Sequence, residues 1–217
     1  MQFRRLLWGP GAVTWIGDAA GRGLQLQNNK IIVPRLWLPS QEALTITIAL
    51  TKKDEAASCV VNYNPDASDR LTAFLYAPTI YNGAEIQSHV GIAWKPATPI
   101  GAKGYHVYSF GRTRSGSVFF AIDAVPQPLV SAGDSIGEVA TTHIEIGARG
   151  TDFYVTGHVP CIIFHRRALS SPEISNMHIA IMRQFWNEVM DDALLSRAIT
   201  QAPTDEIVTL PYLSVDI

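Results

Sequence analysis

Ile146-Gly147-Ala148-Arg149-Gly150, then Phe153, then Gly157-His158-Val159, and finally Phe164-His165-Arg166-Arg167-Ala168-Leu169-Ser170-Ser171-Pro172-Glu173-Ile174 decide how this chain is read. From Thr141 to Gly147 the residues alternate, with Ile144 and Ile146 on one face and His143 and Glu145 on the other. A period of two marks a half-buried strand. Phe153, Val155, Val159, Cys161 and Ile163 share one parity in the following run. Ser170 stands three residues before Glu173, the spacing at which a hydroxyl and a carboxylate cap a helix start reciprocally. Pro172 lacks an N–H and suits the first helical turn. Ile174, Met177, His178, Ile181, Phe185 and Val189 then recur at three- and four-residue steps, the stripe of an amphipathic helix.

Strand, turn, strand and abrupt capped helix, ending in Arg167-Ala168-Leu169-Ser170 with Glu173-Ile174, resemble the closing segment of the laminin G-like, concanavalin A-like jelly-roll family. Gly23-Leu24-Gln25-Leu26 and Ile31-Ile32-Val33-Pro34 resemble its opening, with Asn28-Asn29-Lys30 where a glycine turn is usual. Tyr105–Phe110 and Val118–Ile122, split by Arg112-Thr113-Arg114-Ser115-Gly116, resemble its central hairpin. Asp123 fits there, but Ala124 stands where glycine is expected, so a different turn is anticipated. The resemblance implies an all-β, two-sheet sandwich over residues 21–170, a C-terminal helix over 171–200, and extended arms at 1–20 and 201–217.

The rest of the chain agrees with a sandwich. Thr45–Leu50 alternates, and Ser58–Tyr63 and Leu71–Tyr76 flank the loop signal Asn64-Pro65-Asp66-Ala67-Ser68-Asp69. Glu85 to Trp94 places Ile86, Val90, Ile92 and Trp94 on one parity. Lys52-Lys53-Asp54-Glu55 reads as a charged, solvated turn. About ten strand segments at this density signal a β-sandwich.

Composition sets outer limits. The 217 residues are 47% hydrophobic and 17% charged, values of a packed globular chain. A formal net charge of −2 with scattered Lys and Arg carries no footprint for nucleic acid. No apolar run approaches bilayer length, so no membrane partner is expected. The start, with Arg4-Arg5 before Leu6-Leu7-Trp8 and Gly9-Pro10, is too short for an export core, and cytoplasmic synthesis is expected. Cys59 and Cys161 read as two buried thiols.

The chemistry expected from these residues is sparse. None of the eight glutamates falls in the E-x-D-x-x-E spacing that lines glucanase carboxylates along one strand face, and Glu145 reads as a solvated strand residue. His158 and His165, seven apart in one strand, project to opposite faces unless the strand bulges. Asn62, Asn64, Asp66 and Asp69 are rich in oxygen donors, but turn chemistry accounts for them. Gly-x-Ser-x-Gly is absent. Neither a metal nor a cofactor is expected. Trp37, Trp94, Tyr76, Tyr81 and Tyr105 are the aromatic candidates for a sugar platform.

By resemblance to copies in tailed-bacteriophage virion proteins, the expected role is non-enzymatic and structural. The chain would be a capsid-decorating or tail component of the virion, made in the host bacterial cytoplasm and partnered by other virion proteins and its own copies. The candidate contacts are Phe3, Arg4, Arg5 and Trp8 in the first arm, and Ile207, Leu210, Pro211, Tyr212, Leu213 and Val215 in the second. The tail is apolar enough to need a packing partner, and Pro211 keeps it from a regular central strand. Two further readings stand beside it: a carbohydrate-binding module with a surface glycan as partner, and a degenerate glycosidase.

Overall fold

The structure is a computed structural model. It describes residues 7–8, 14–16, 23–34, 43–63, 71–87, 93–101, 103–131, 143–165, 167–185 and 214–215. The strands are β1 (Leu7–Trp8), β2 (Thr14–Ile16), β3 (Gly23–Leu26), β4 (Ile31–Pro34), β5 (Leu44–Lys52), β6 (Ser58–Tyr63), β7 (Leu71–Leu75), β8 (Ala84–Gln87) and β9 (Ala93–Pro96). They continue as β10 (Gly104–Arg112), β11 (Val118–Ile122), β12 (Val125–Pro126), β13 (Leu129–Ser131), β14 (His143–Ile146), β15 (Gly157–His165) and β16 (Ser214–Val215). One helix, α1 (Ser171–Phe185), follows β15.

Two sheets stack face to face in a jelly-roll sandwich. The first runs β1-β4-β14-β6-β7-β8-β9-β13, and the second β12-β11-β10-β5-β15-β3-β2 with β16 beside β15. All pairs are antiparallel except β15 with β16. Ile46, Ile48 and Leu50 of β5 meet Val61, Tyr63, Leu71, Ile86, Ile144 and Ile146 of the facing sheet in the main core. The alternation read around Ile144 and Ile146 holds. Glu85–Trp94 is not one strand, because β8 and β9 pair with each other, Ile86 opposite Trp94.

The outer face of the second sheet is also buried, beneath α1. Ala49, Val107, Ala121, Cys161 and Ile163 pack there against Leu169, Ile174, Met177, Ile181 and Met182. The chain enters the helix under control of one hydroxyl: Thr45 Oγ1 donates to Arg167 O at 2.9 Å and accepts the Leu169 N–H at 2.9 Å. Only half of the expected capping box forms. Glu173 Oε2 accepts both the Ser170 N–H and the Ser170 hydroxyl, each at 2.7 Å, instead of the hydroxyl accepting from Glu173. Arg167 on the other carboxylate oxygen, together with Ser170, holds the Glu173 carboxyl down at about 2. Residues 186–200 of the expected helix, with Val189, lie outside the described residues.

β15 breaks its own alternation. His158 pairs with Thr51 and Cys161 with Ala49, so Val159 and Pro160 together oppose Leu50. Pro160 has no N–H for a ladder, and a bulge is where a central strand tolerates it. The bulge moves Val159 into the main core with Ile162 and Phe164, while Cys161 and Ile163 face the helix. The single parity expected across Val159, Cys161 and Ile163 is thereby corrected, and His158 and His165 fall on one face.

The Asp123-Ala124 turn keeps the left-handed geometry despite the missing glycine, with φ of 49° and 68°. The helix stabilises it from outside. Ala124 N–H donates to His178 Nδ1 at 2.9 Å, and Ser175 Oγ donates to Ala124 O at 2.7 Å. His178 Nδ1 is therefore an acceptor, so Nε2 carries the proton and donates to Ser109 Oγ at 2.7 Å. A histidine in this tautomer cannot take a proton from that serine, which removes the pair as a nucleophile and base.

Within residues 1–20, Leu7–Trp8 pairs with Ile31–Ile32 and Thr14–Ile16 with β3. Near the other end Ser214 and Val215 pair with Ile163 and Phe164 of the same chain. The remaining candidate contacts, Phe3, Arg4, Arg5, Ile207, Leu210, Pro211, Tyr212 and Leu213, lie outside the described residues. Among the described residues no helix is long and apolar enough to cross a membrane.

Ile181 is buried against the sheet whereas Phe185 is half-buried. Ile181→Ala is expected to destabilise by about 2–5 kcal/mol and Phe185→Ala by less, read as urea midpoints. Burial pushes the His178 imidazole down to about 3 from an ordinary 6.5, with Asp123 opposing weakly. The unfolded chain therefore takes up a proton that the folded one refuses. Stability is full above about pH 6.5 and falls toward pH 3, by up to about 1.4 kcal/mol per pH unit for this one group. Urea midpoints across that range should flatten in His178→Gln.

Candidate functional site

The first sheet carries an unusual outer face. Thr72, Phe74 and Tyr76 project from it while Leu71, Ala73 and Leu75 fill the core, so β7 has apolar residues on both sides. Cross-strand register lines up Glu145, Asn62, Thr72 and Gln87 in one row, and Cys59, Phe74 and Glu85 in the next. The first row is polar, and its Glu145, Asn62 and Thr72 are buried and bonded to one another. Asn62 Nδ2 donates to Glu145 Oε2 at 2.9 Å, and Thr72 Oγ1 donates to Asn62 Oδ1 at 3.0 Å.

Glu145 is not solvated as expected from sequence. It is 3% exposed and accepts from Lys30 Nζ, from Asn62 and from the Gly150 N–H. Burial alone would raise its carboxyl, but Lys30, Gly150 and Asn62 outweigh that and hold it below the ordinary range. Lys30 Nζ also donates to Gly150 O at 2.8 Å, so one ion pair fastens the turn after β14 at two points. Lys52 does the same for its own turn: it is buried, and its Nζ donates to Asp54 O, Asp54 Oδ1 and Ala56 O, which corrects the reading of a solvated charge run. Asn62 is committed to Glu145 and Thr72, and Asn64, Asp66 and Asp69 lie outside the described residues.

The fastened turn delivers an aromatic side chain. Gly147 sits at φ +85°, a conformation that strains any L side chain, and a Cβ there would also press on Leu26 Cδ1 at 2.4 Å. Arg149 and Asp152 exchange backbone hydrogen bonds, and the Cys59 N–H donates to Phe153 O at 2.7 Å. Phe153 is left at φ +55°, 39% exposed, with its ring edge-on to Phe74 at 5.4 Å. The Arg149 guanidinium lies 5.8 Å from the centre of the same Phe74 ring.

A second turn mirrors this at the other end. Tyr81, Asn82 and Gly83 take φ of 49°, 54° and 90° in succession. Gly83 is packed so closely that a Cβ would stand 2.2 Å from Ile100 O. The turn is tied down by Tyr76 N–H to Gly83 O, Ile100 N–H to Asn82 O, and Asn82 Nδ2 to Pro96 O, at 2.8–2.9 Å. Tyr81 is 48% exposed and meets Tyr76 at 5.1 Å, and Tyr76 meets Phe74 at 5.9 Å. Phe153, Phe74, Tyr76 and Tyr81 thus form a continuous run of rings, buried in the middle and open at both ends. Glu85 lies beneath it, 5% exposed, accepting the Tyr76 hydroxyl at 3.2 Å and Gln87 Nε2 at 2.8 Å. Burial and the neighbouring Glu85 raise the Tyr76 phenol.

Bulky residues at positive φ are genuine outliers that cost of order 1–3 kcal/mol each. Both exposed rings of this face sit on such backbone. Of the five aromatic candidates from sequence, Tyr81 is exposed here, Tyr76 is buried in the ladder and Trp94 is in the main core. Tyr105 packs beside the helix cluster, and Trp37 lies outside the described residues. Phe153, Phe74, Arg149 and Glu85 were not among the candidates. The two-sided apolar pattern Leu71-Thr72-Ala73-Phe74-Leu75-Tyr76 was the available signal.

Among the described residues Glu85 and Glu145 are the buried carboxylates of this face. Their strands, β8 and β14, have β7 and β6 between them. Three strand spacings put them about 14 Å apart, wider than the roughly 5–9.5 Å over which paired carboxylates cleave a glycosidic bond.

No protein-family model matches the sequence, and no curated protein matches it. Solved structures do. A SAP-like pentraxin from Limulus polyphemus aligns with TM-score 0.50 and 10% identity over 68% of this chain and 74% of its own. Domain 4 of AbnA, an extracellular arabinanase from Geobacillus stearothermophilus solved with arabinotriose, aligns with TM-score 0.53 and 13% identity over 69% and 72%. Mouse laminin α1 domains LG4-5 align with TM-score 0.50 and 10% identity over 79% of this chain and 46% of that one. At these identities the likeness establishes the lectin-like jelly-roll fold, and a fold leaves activity open.

Proposed function

We propose that this chain is a non-enzymatic, lectin-like domain that binds a glycan across the outer face of its first sheet, between Tyr81 and Phe153. The observation that carries this reading is the ring ladder itself. Its two exposed ends stand on strained left-handed backbone, and each strained turn is braced by several hydrogen bonds. Strain held by such bracing is a mark of functional sites. Sugar rings present C–H faces to aromatic rings and hydroxyls to neighbouring polar groups, and Glu85, Gln87 and Asn82 supply the latter. The arabinotriose-bound domain of similar fold supports the same direction. The wide separation of Glu85 and Glu145 supports binding without hydrolysis.

Tyr81→Ala and Phe153→Ala should each weaken binding on a glycan array while leaving the melting temperature near that of the parent. Tyr81→Gly is the sharper case. It relieves left-handed strain, so stability should hold or rise while binding is lost. Parent-like binding by all three variants would remove this face from consideration. Release of reducing ends from any bound polysaccharide would overturn the non-enzymatic assignment.

A second reading, favoured by the way the terminal segments attach, makes the domain a component of a tailed-phage virion. Among the described residues Leu7–Trp8 adds to the end of the first sheet beside β4, and Ser214–Val215 runs parallel beside β15. A terminal segment added beside an existing strand is one that a neighbouring copy's arm could equally supply. The arms and their contacts, Phe3 to Trp8 and Ile207 to Val215, would then join the domain to capsid or tail proteins, with the ladder facing a host surface glycan. Deleting residues 203–217 should leave a folded domain that no longer assembles. A lowered melting temperature with unchanged oligomeric state would assign the tail to its own domain.

A further inference from the structure

We propose that the glycan held by this face is anionic, a saccharide bearing a carboxylate or sulfate, with its acidic group at Arg149 and its neutral hydroxyls toward Glu85. The inference rests on the ring ladder being a glycan site and adds the charge and direction of what it holds.

Arg149 is the starting point. Its guanidinium lies against the Phe74 ring at 5.8 Å and is half-buried. This cation–π contact desolvates part of the cation without using its N–H donors, which stay available to an acceptor. Among the described residues no carboxylate forms an ion pair with it. Asp152, its backbone partner across the turn, bonds it only through main-chain N–H and C=O groups. The other cations bracing this side are committed: Lys30 to Glu145 and Gly150 O, and Lys52 to its own turn.

Position supplies the second argument. Phe153 and Arg149 touch the same Phe74 ring. A sugar stacked on the exposed Phe153 therefore brings a substituent within reach of the guanidinium, whose planar fork matches a carboxylate or sulfate. Their turn is fastened at Gly150 by Glu145 and Lys30, which lowers the cost of presenting the cation and the ring together.

The opposite end has the opposite charge. Glu85 accepts from Tyr76, whose ring meets Tyr81, and an acidic group there would meet a buried carboxylate. Hydroxyls would instead find an acceptor. Three ring-to-ring steps of 5.1–5.9 Å separate Phe153 from Tyr81, which suits a ligand longer than one sugar ring. With a formal net charge of −2 the whole chain does not attract anions, so the selectivity is local to Arg149.

The full chain, applied to an array of neutral, carboxylated and sulfated saccharides, tests this. The expected binders carry an acidic group, and whether carboxylate or sulfate dominates names its source. For the best binder, Arg149→Gln should weaken affinity at least tenfold, bring it to that of the methyl-esterified or desulfated counterpart, and abolish its salt dependence. Arg149→Lys should recover part of the loss. Equal affinity for the acidic ligand and its neutral counterpart, in a protein whose binding still fails in Tyr81→Ala, would overturn the anionic assignment and leave the glycan site standing. Absence of binding to every saccharide would overturn both. Thermal melts of the Arg149 variants matching the parent exclude misfolding as the cause of a loss.

Discussion

β5 has to be apolar on one side and small or hydroxylated on the other, and the architecture depends on that constraint. Its nine residues pair along their whole length with β10 and over most of it with β15. Ile46, Ile48 and Leu50 fill the space between the sheets. Thr45, Thr47 and Ala49 are compact enough for a helix to lie directly on the opposite face. Thr45 steers the chain into that helix, and Thr47 joins Ser109 and His178 in a buried polar chain beneath it. With the outer face of the second sheet taken by α1, the outer face of the first carries the ring ladder, buried in its middle and exposed at Tyr81 and Phe153.

That first sheet is organised by pairing charges inside rather than by excluding them. A buried carboxylate is tolerated when its partners outweigh the lost hydration. Glu145 meets that condition through Lys30, Asn62 and Gly150, two of which come from other parts of the chain. What the network achieves is placement of a turn whose φ angles would otherwise be unfavourable for phenylalanine.

The sandwich and its helix were legible in the sequence because both depend on periodicity. Alternation marked Ile144 and Ile146, and three- and four-residue steps marked Ile174, Met177 and Ile181. The site was legible only in part. Tyr81 stood among the aromatic candidates, but its exposure follows from the left-handed turn at Tyr81-Asn82-Gly83, which no periodicity announces. Phe153 was read into a strand because its parity matched Val155, whereas Gly147 and Gly150 had already turned the chain. Glu145 looked solvated because alternation sees only one strand, and its partners at Lys30 and Asn62 are 115 and 83 residues away. Pro160 held the clue to the parity change in β15, since a proline deep in a central strand requires a bulge.

Two thiols lie beneath two different covers. Cys59 is buried on the outer face of the first sheet, its N–H held by the carbonyl of Phe153. Cys161 is buried on the opposite side of the molecule, under α1, where the loss of hydration lifts its thiol to about 12. A water-soluble alkylating reagent reaches the first only when the Phe153 turn lifts, and the second only when the helix undocks. The protein thus has a built-in gauge on each layer, and the labelling rates of its two cysteines separate the breathing of the Phe153 turn from that of the helix.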